Sequence, residues 1–462
     1  MMVSKDNFSK EELEESVDIE RIIQSIEQDD LEGFRSYFLG LHRYEQAEVF
    51  LSLDESLHSK LYHYLSPDEV ALFMDNIDPD EEMFERIFDR IDAIYAADIL
   101  TEMSYDNAVD ILSVLSKEKV ASLLVLMPRE DAKEMRALLN YEEDSAGGIM
   151  TTEYISVPQD MTVREALIVV KEQAPEAETI YYTFVIDHHK ELVGVLSLRD
   201  LIVYDDDEYI EDIMVKRVVS VSAMADQEAV ALKMRDYDLL ALPVVDYQNH
   251  LLGIITADDI MDVIDEEASE DYSKLAGVND IDNTTDTFLQ VAKKRLPWLI
   301  ALTVMGMITA SILGQFEETM AKVALLAAFI PIIGGMAGNS GTQSLAVAVR
   351  GISTGEIKEA SKMKIAMREM GSGFISGLVC GLILFVIITI LYQEVILALI
   401  VAISLMLAMT VATLAGAIVP LVMHKFNIDP AVASGPFITT INDIISMLIY
   451  FGLATTFMSY LT

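Results

Sequence analysis

The sequence predicts a multidomain protein in four parts: an all-α superhelical N-terminal domain, an α/β tandem pair, a connecting helix, and a five-helix α transmembrane domain. Three observations predict it, namely a division of charge and hydropathy between the two halves, a short helical repeat, and a longer strand-and-helix duplication. Of 462 residues, 75 are Asp or Glu and 32 are Lys or Arg, a net charge of −43. Residues 293–462 hold 8 of those acids and 10 of the bases, which leaves 67 acids against 22 bases in residues 1–292. So acidic a surface repels nucleic acid and anionic headgroups, and its natural partners are cations or basic surfaces. A plain solvated acidic face is the other reading of the same charge.

The helical part is read from Leu53 to Asn140. Leu65-Ser66-Pro67-Asp68-Glu69 recurs twelve residues on as Ile77-Asp78-Pro79-Asp80-Glu81, and Met103-Ser104, Leu115-Ser116 and Met127-Pro128 step by twelve again. Each unit has an N-cap Ser or Asp, acids in the first turn and an apolar stripe. Helices this short must stack on neighbours to bury their stripes, which predicts a superhelical domain over residues 1–145.

The pattern changes after Ala146-Gly147-Gly148. Phe184-Val185-Ile186-Asp187 with Gly194-Val195-Leu196-Ser197-Leu198-Arg199-Asp200 recurs as Pro243-Val244-Val245-Asp246 with Gly253-Ile254-Ile255-Thr256-Ala257-Asp258-Asp259, at an offset of 59. This succession of strand, glycine turn, strand and Ser/Thr-x-x-Asp helix start, within residues 146–264, resembles a tandem CBS-domain pair. The resemblance implies dimerisation and an adenine-nucleotide site, ATP in particular, at Ser197, Arg199 and Asp200. The competing reading is that Ser197, Asp200, Thr256 and Asp259 only cap helices.

Five segments are apolar all round and long enough to cross a bilayer, near Leu296–Phe316, Val323–Val349, Phe374–Leu391, Val395–Met423 and Pro430–Leu461. Lys293, Lys294, Arg295, Arg350, Lys358, Lys362, Lys364, Arg368 and Lys425 fall on one side of them, and Lys322 alone on the other. By the positive-inside rule residues 1–292 face the cytoplasm and the C-terminus lies outside, in a multi-pass protein of the cell membrane. Two further features agree with that placement. Met1 to Lys10 is polar, without the apolar core of a secretory signal. Cys380, the single cysteine, forms no internal disulfide, as fits a reducing compartment.

Two stretches carry candidate chemistry. In the connector, read as residues 265–292 with its acids beginning earlier, Asp259, Asp262, Glu266 and Glu270 share one helical ridge, with Asp258, Asp265 and Glu267 beside it; Asp106 and Asp110 form a second i, i+4 pair. Stacked carboxylates repel, and a divalent cation with hard oxygen ligands would relieve them, so the acidic faces read as a cation sensor or as solvated surface. In the membrane part, residues 293–462, span five holds Asp443, the one carboxylate deep in an apolar run. An acid there is expensive and marks a functional site. Span two gathers Pro331, Gly334, Gly335, Gly338, Asn339, Gly341, Thr342 and Gln343, which predicts either a loosened backbone offering carbonyls or close packing through small residues.

With these residues in view the whole chain resembles the MgtE family of bacterial Mg2+ channels. The likeness rests on Ser145-Ala146-Gly147-Gly148-Ile149-Met150-Thr151-Thr152, the paired module, the acidic connector, Gly338-Asn339-Ser340-Gly341-Thr342-Gln343-Ser344 and the Pro430 to Asp443 segment. It implies a homodimer in the lipid bilayer that takes up Mg2+ down its gradient. It also implies a pore lined by Asp443, Asn339, Gly338, Gly335, Thr342, Gly435 and Thr439, and closure when cytosolic Mg2+ binds Asp106, Asp110, Glu228, Asp238, Asp259, Asp262, Glu267, Glu270 and Asp271. Leu239 stands where an aromatic ring would stack on adenine. No Gly-x-x-x-x-Gly-Lys or His-Glu-x-x-His motif occurs, so neither ATP-driven pumping nor enzyme chemistry is expected. The alternative is a membrane-anchored CBS sensor of divalent cations that conducts nothing.

Overall fold

The structure, a computed structural model, describes residues 19–77, 81–278, 287–357, 362–426 and 428–460. Outside them lie Asp78, Pro79 and Asp80 of one repeat unit, part of the linker after the connecting helix, Lys358 of the basic loop, and Leu461. The chain forms two compact units, Met1–Met261 and Asp262–Thr462.

In the first unit the repeat is a stack of short helices. It begins earlier than the sequence pattern shows, with Ile19–Glu27, Leu31–Phe38 and Arg43–Ser52, and runs on through Glu55–Tyr64, Pro67–Met74, Glu81–Arg90, Ala93–Glu102, Tyr105–Val114, Lys117–Leu126 and Arg129–Leu138. Starts at 43, 55 and 67, and again at 93, 105, 117 and 129, keep the twelve-residue step. Asp54 and Asp92 cap their helices by accepting from the backbone N–H groups of Ser56 and Ile94, at 2.8 and 3.0 Å. Ser104 and Ser116 sit at cap positions but do not cap with their hydroxyls. Acids from earlier helices do it instead: the Ser116 N–H donates to Glu85 at 2.6 Å, and the Ser104 N–H to Asp75. The helices thus bury their stripes on their neighbours, and Glu85 and Asp75 lend charge to later helix starts.

The duplication folds as two like sheets. Strand β1 (Ser156–Pro158) is parallel to β2 (Tyr182–Ile186), which is antiparallel to β3 (Leu192–Ser197); β4 (Val221–Ser222), β5 (Ala241–Val245) and β6 (Leu251–Thr256) repeat the arrangement. Even the register slip recurs at the same offset, between Val185 and Ile186 and between Val244 and Val245. Phe184 and Leu192 of one copy share an apolar cluster with Ala241, Leu251 and Ile254 of the other, which welds the pair.

Nothing in the sequence from Ala257 to Ala276 breaks a helix, and one continuous helix fills it. The expected division at 264/265 therefore falls inside that helix, and its first turn belongs to the first compact unit and the rest to the second. Among the described residues five helices have the length and composition of membrane spans: Phe288–Gly314, Ala324–Ser353, Lys362–Tyr392, Val395–Lys425 and Gly435–Thr456. Span one starts before the basic trio, so Lys293, Lys294 and Arg295 ride on its first turns. Span five starts at Gly435, after the short turn Pro430–Val432.

The backbone of span two is not loosened. After a 3-10 segment, Ala324–Phe329, it is helical throughout Ile330–Ser353, and Gly334, Gly338 and Gly341 serve close packing. A Cβ on Gly341 would overlap the Asn442 side chain of span five, and one on Gly416 of span four would overlap the Gly341 carbonyl. Spans three and four approach in the same manner, Gly373, Gly377 and Gly381 facing Thr413, Met406 and Ala402. Without a hydrophobic force between helices in lipid, such close backbone approach is what holds spans together.

Candidate functional site

The membrane site is built by spans two and five. Gly334 leaves room for Asp443, whose Oδ1 lies 3.0 Å from where a Cβ would sit, and Gly338 leaves room in the same way for Thr439. Thr342 donates to the Gly338 carbonyl at 3.0 Å and its Oγ1 is 3.3 Å from that of Thr439; Thr439 in turn donates to the Gly435 carbonyl. Five of the seven expected pore residues therefore meet along one seam: Asp443, Gly338, Thr342, Gly435 and Thr439, while Gly335 lies outside it with nothing within 4 Å of a Cβ. Asn339 takes a different place. With Gly335 and Gln343 it forms an exposed row at i, i+4, i+8 on the open face of span two. An amide row of that kind, within a segment apolar enough to span a bilayer, calls for water or protein rather than lipid. Gln343 belongs to this row although only the spacing of Asn339 and Gly335 hints at it. Asn442, beside Asp443, is fully buried with both amide atoms unpartnered.

The second site lies in the first unit, around the start of helix Tyr105–Val114. Its exposed backbone N–H groups and dipole draw carboxylates. Asp75 accepts from the Ser104 N–H, Glu153 from the Tyr105 N–H, and the Ser104 hydroxyl donates to Glu178 at 3.3 Å. Asp106, only 8% exposed, has an Oδ1 without a partner. More acids gather than the helix end can neutralise. Burial first, then the charges of Asp259 and Glu178, holds the Asp106 carboxyl well above the usual range. Burial first, then Glu178, raises Glu153 to about 7, and burial raises Asp75 to about 6. Glu178, at the rim, is raised by partial enclosure and by Asp259 and Asp258.

Of the expected sensing ligands, Asp106 and Asp259 thus come together and Asp110 stands one turn further on, exposed. Glu228 and Asp238 sit at opposite ends of helix Gln227–Tyr237, about 15 Å apart by helical rise. Asp262 and Glu267 lie along the connecting helix, Asp262 exposed. Glu270 and Asp271 meet protein groups, Lys274 and the Ser353 hydroxyl. Among the described residues no group of three or more His, Cys, Asp or Glu is assembled to hold a metal as it stands. Asp75, Glu153 and Glu178, which complete the acidic cluster, are missed by sequence reasoning because they are spread over a hundred residues with no common spacing.

At the expected nucleotide position Ser197 and Asp200 bond to each other: the Ser197 hydroxyl donates to Asp200 Oδ2 at 2.6 Å, and the Asp200 N–H returns to Ser197 Oγ at 3.2 Å. They cap helix Leu198–Val203, and Arg199 beside them is exposed.

The cluster gives a prediction with a definite sign. Carboxyls whose folded pKa is raised favour folding below their unfolded value near 4, and that contribution is lost as pH rises through about 6 for Asp75 and about 7 for Glu153. In chelator the protein should therefore melt at a lower temperature at pH 8 than at pH 5.5, by on the order of a few kcal/mol of stability, and Mg2+ at pH 8 should restore most of it. A melting temperature that is flat with pH, or unmoved by Mg2+ at pH 8, contradicts the cluster as described.

Five spans, an intramembrane acid and an acidic domain define a polytopic cation-transport protein, and the family comparisons agree. The family model described as divalent cation transporter matches residues 330–453, that of the MgtE intracellular N domain residues 41–144, and that of the CBS domain residues 146–207 and 210–266. The magnesium transporter MgtE of Enterococcus faecalis is 47% identical over 439 residues, covering 95% of this chain and 97% of that one; its Bacillus subtilis counterpart is 39% identical over 438 residues, covering 95% and 96%. The chain belongs to the MgtE family. Among solved structures, the soluble part of a magnesium transporter matches at 50% identity and TM-score 0.53, covering 55% of this chain and 99% of that one. The cytosolic domain of the Mg2+ channel MgtE in complex with ATP matches at 35% identity and TM-score 0.50, covering 53% and 99%.

Proposed function

We propose that the chain conducts Mg2+ into the cell down its electrochemical gradient, along spans two and five, and that cytosolic Mg2+ closes it. The observation that carries the reading is Asp443, half-buried against Gly334 on the seam next to the exposed row of Gly335, Asn339 and Gln343. A carboxylate and amide oxygens suit a hard cation that keeps part of its water. An inward-negative potential contributes about 2.3 kcal/mol per charge per 100 mV, so no ATP-driven step is required.

The exposed amide row supports a homodimer in which two copies face each other across the pore. The basic residues at the ends of the spans support a cytoplasmic N-terminal unit and an outward C-terminus. For closure, the acids around helix Tyr105–Val114, with Asp106, Asp110 and Asp259 at their centre, are the sensing set: Mg2+ would neutralise carboxylates that otherwise repel. Glu228, Asp238, Asp262 and Glu267 are outer contributors. Regulation by ATP at Ser197, Arg199 and Asp200 is the finer proposal, supported by the relative whose cytosolic domain is solved with ATP.

The test is Mg2+ flux into liposomes bearing the full-length protein, with internal Mg2+ varied. Flux that falls several-fold as internal Mg2+ rises is the expected result. No flux at any internal Mg2+ would point to a membrane-anchored sensor instead.

A further inference from the structure

The end of the connecting helix meets the membrane helices within the second unit. Lys274 Nζ donates to Asp429 Oδ2 at 2.5 Å and also bonds Glu270 one turn back. The second oxygen of Asp429 accepts from the Ala431 N–H at 2.8 Å, which ties this carboxylate to the turn that leads into span five. On the other side, the Ser353 hydroxyl, in the last turn of span two, donates to Asp271 at 2.6 Å. Between these polar contacts Leu275 packs on the buried cluster of Leu345, Val349, Ala431 and Ile438. Gly277, at φ +75°, then turns the chain away; a Cβ there would lie 3.2 Å from Pro436. The helix end is thus held to the foot of span two and the start of span five, the two spans that carry Asn339 and Asp443.

Three carboxylates at this junction share the one ammonium of Lys274. Asp271 lies within the electrostatic reach of Asp429 and Glu270 as well as of Lys274. Take the ammonium away, and the repulsion of Asp271 by Asp429 and Glu270 loses the attraction of Lys274 that opposes it at this partly buried seam. The Lys274 side chain is 26% exposed and that of Asp429 35%, enclosed enough for the pairing to count for more than an open surface bridge.

We infer that Lys274 is a positioning residue: as a tethered cation between Glu270 and Asp429, it latches the connecting helix onto the foot of span two and the start of span five. The inference rests on the conduction reading, and it divides the labour of closure. Mg2+ is read chiefly at the carboxylates around helix Tyr105–Val114, while Lys274 holds the end of the connecting helix at the membrane. Glu270 and Asp271 then act through Lys274 and Ser353.

The experiment uses the full-length chain in liposomes, comparing Lys274→Met, Lys274→Arg, Lys274→Glu, and Lys274→Glu combined with Asp429→Lys. Lys274→Met should need roughly tenfold more internal Mg2+ to close, Lys274→Arg should close nearly as the unaltered protein does, and the charge exchange should recover closure lost in Lys274→Glu. Closure by Lys274→Met at unaltered Mg2+, or a charge exchange no better than Lys274→Glu alone, overturns the latch and leaves the conduction reading standing. Closure at lower Mg2+ also overturns it, since the lysine would then be excluding metal rather than holding the helix. A readout independent of flux is oxidative cross-linking of Asp271→Cys to Ser353→Cys in a Cys380→Ala background. Cross-linking should fall at least several-fold with Lys274→Met; an unchanged yield counts against the latch even in a protein that carries no flux.

Discussion

Replacing Asp443 with Asn should lower Mg2+ flux by roughly a hundredfold while leaving the melting temperature almost unchanged. Asn keeps the shape of the side chain and fits the same gap beside Gly334, so packing between spans two and five survives. What it removes is the negative charge. At a half-buried position the attraction between a carboxylate and a divalent ion is several times its value in bulk water, and an amide dipole replaces little of it. Asp443→Glu should fall between, since it keeps the charge but pushes it about one bond further towards Gly334. The measurement is initial uptake at low internal Mg2+, where closure does not interfere. Uptake within twofold of the unaltered protein would show that another group selects the ion.

The second large effect is structural. Gly416→Val should destabilise the membrane unit by roughly 3 kcal/mol or more, equivalent to a fall of about 10 °C in melting temperature or loss of the monodisperse peak in detergent. The new Cβ would collide with the Gly341 carbonyl, a backbone atom that cannot step aside without shifting all of span two. Gly341 is itself pressed against the Asn442 side chain, and the Ala412 carbonyl lies 3.1 Å from where a Cβ of residue 341 would sit, so the displacement has nowhere to go. Gly452→Ala is the control: nothing lies within 4 Å of a Cβ at that position, and its stability should stay within about 0.5 kcal/mol of the unaltered protein. Equal effects of the two substitutions would mean that spans two, four and five are not packed at this crossing.

Both predictions draw on features that the chain announces unevenly. The twelve-residue step is legible because each short helix carries its own start signal and stripe, and the duplication because a pleated strand and its glycine turn repeat the same local chemistry. Asp443 stands out for a similar reason: one charge among apolar residues needs no partner to be noticed. Span two is legible in composition but not in consequence. Its glycines permit either an open backbone or a close approach, and only the neighbours Asn442, Thr439 and Gly416 choose between them.

The acidic sites divide in the same way. Asp106 and Asp259 can be proposed from helical spacing and family likeness, whereas Asp75, Glu153 and Glu178 join them through the chain's return to one helix start. Glu270 reads in sequence as a member of the acidic ridge and Asp271 as a ligand implied by the family likeness, yet they end against Lys274 and Ser353. Readable from the residues alone, therefore, are the local and the periodic features: the helix starts, the paired sheets, the five spans and the acid deep in the fifth, all set by interactions over a few positions. Which carboxylates share a helix end, which glycines touch a backbone and which cation sits between Glu270 and Asp429 emerge only in the folded chain, because each depends on groups far apart in sequence that packing brings together.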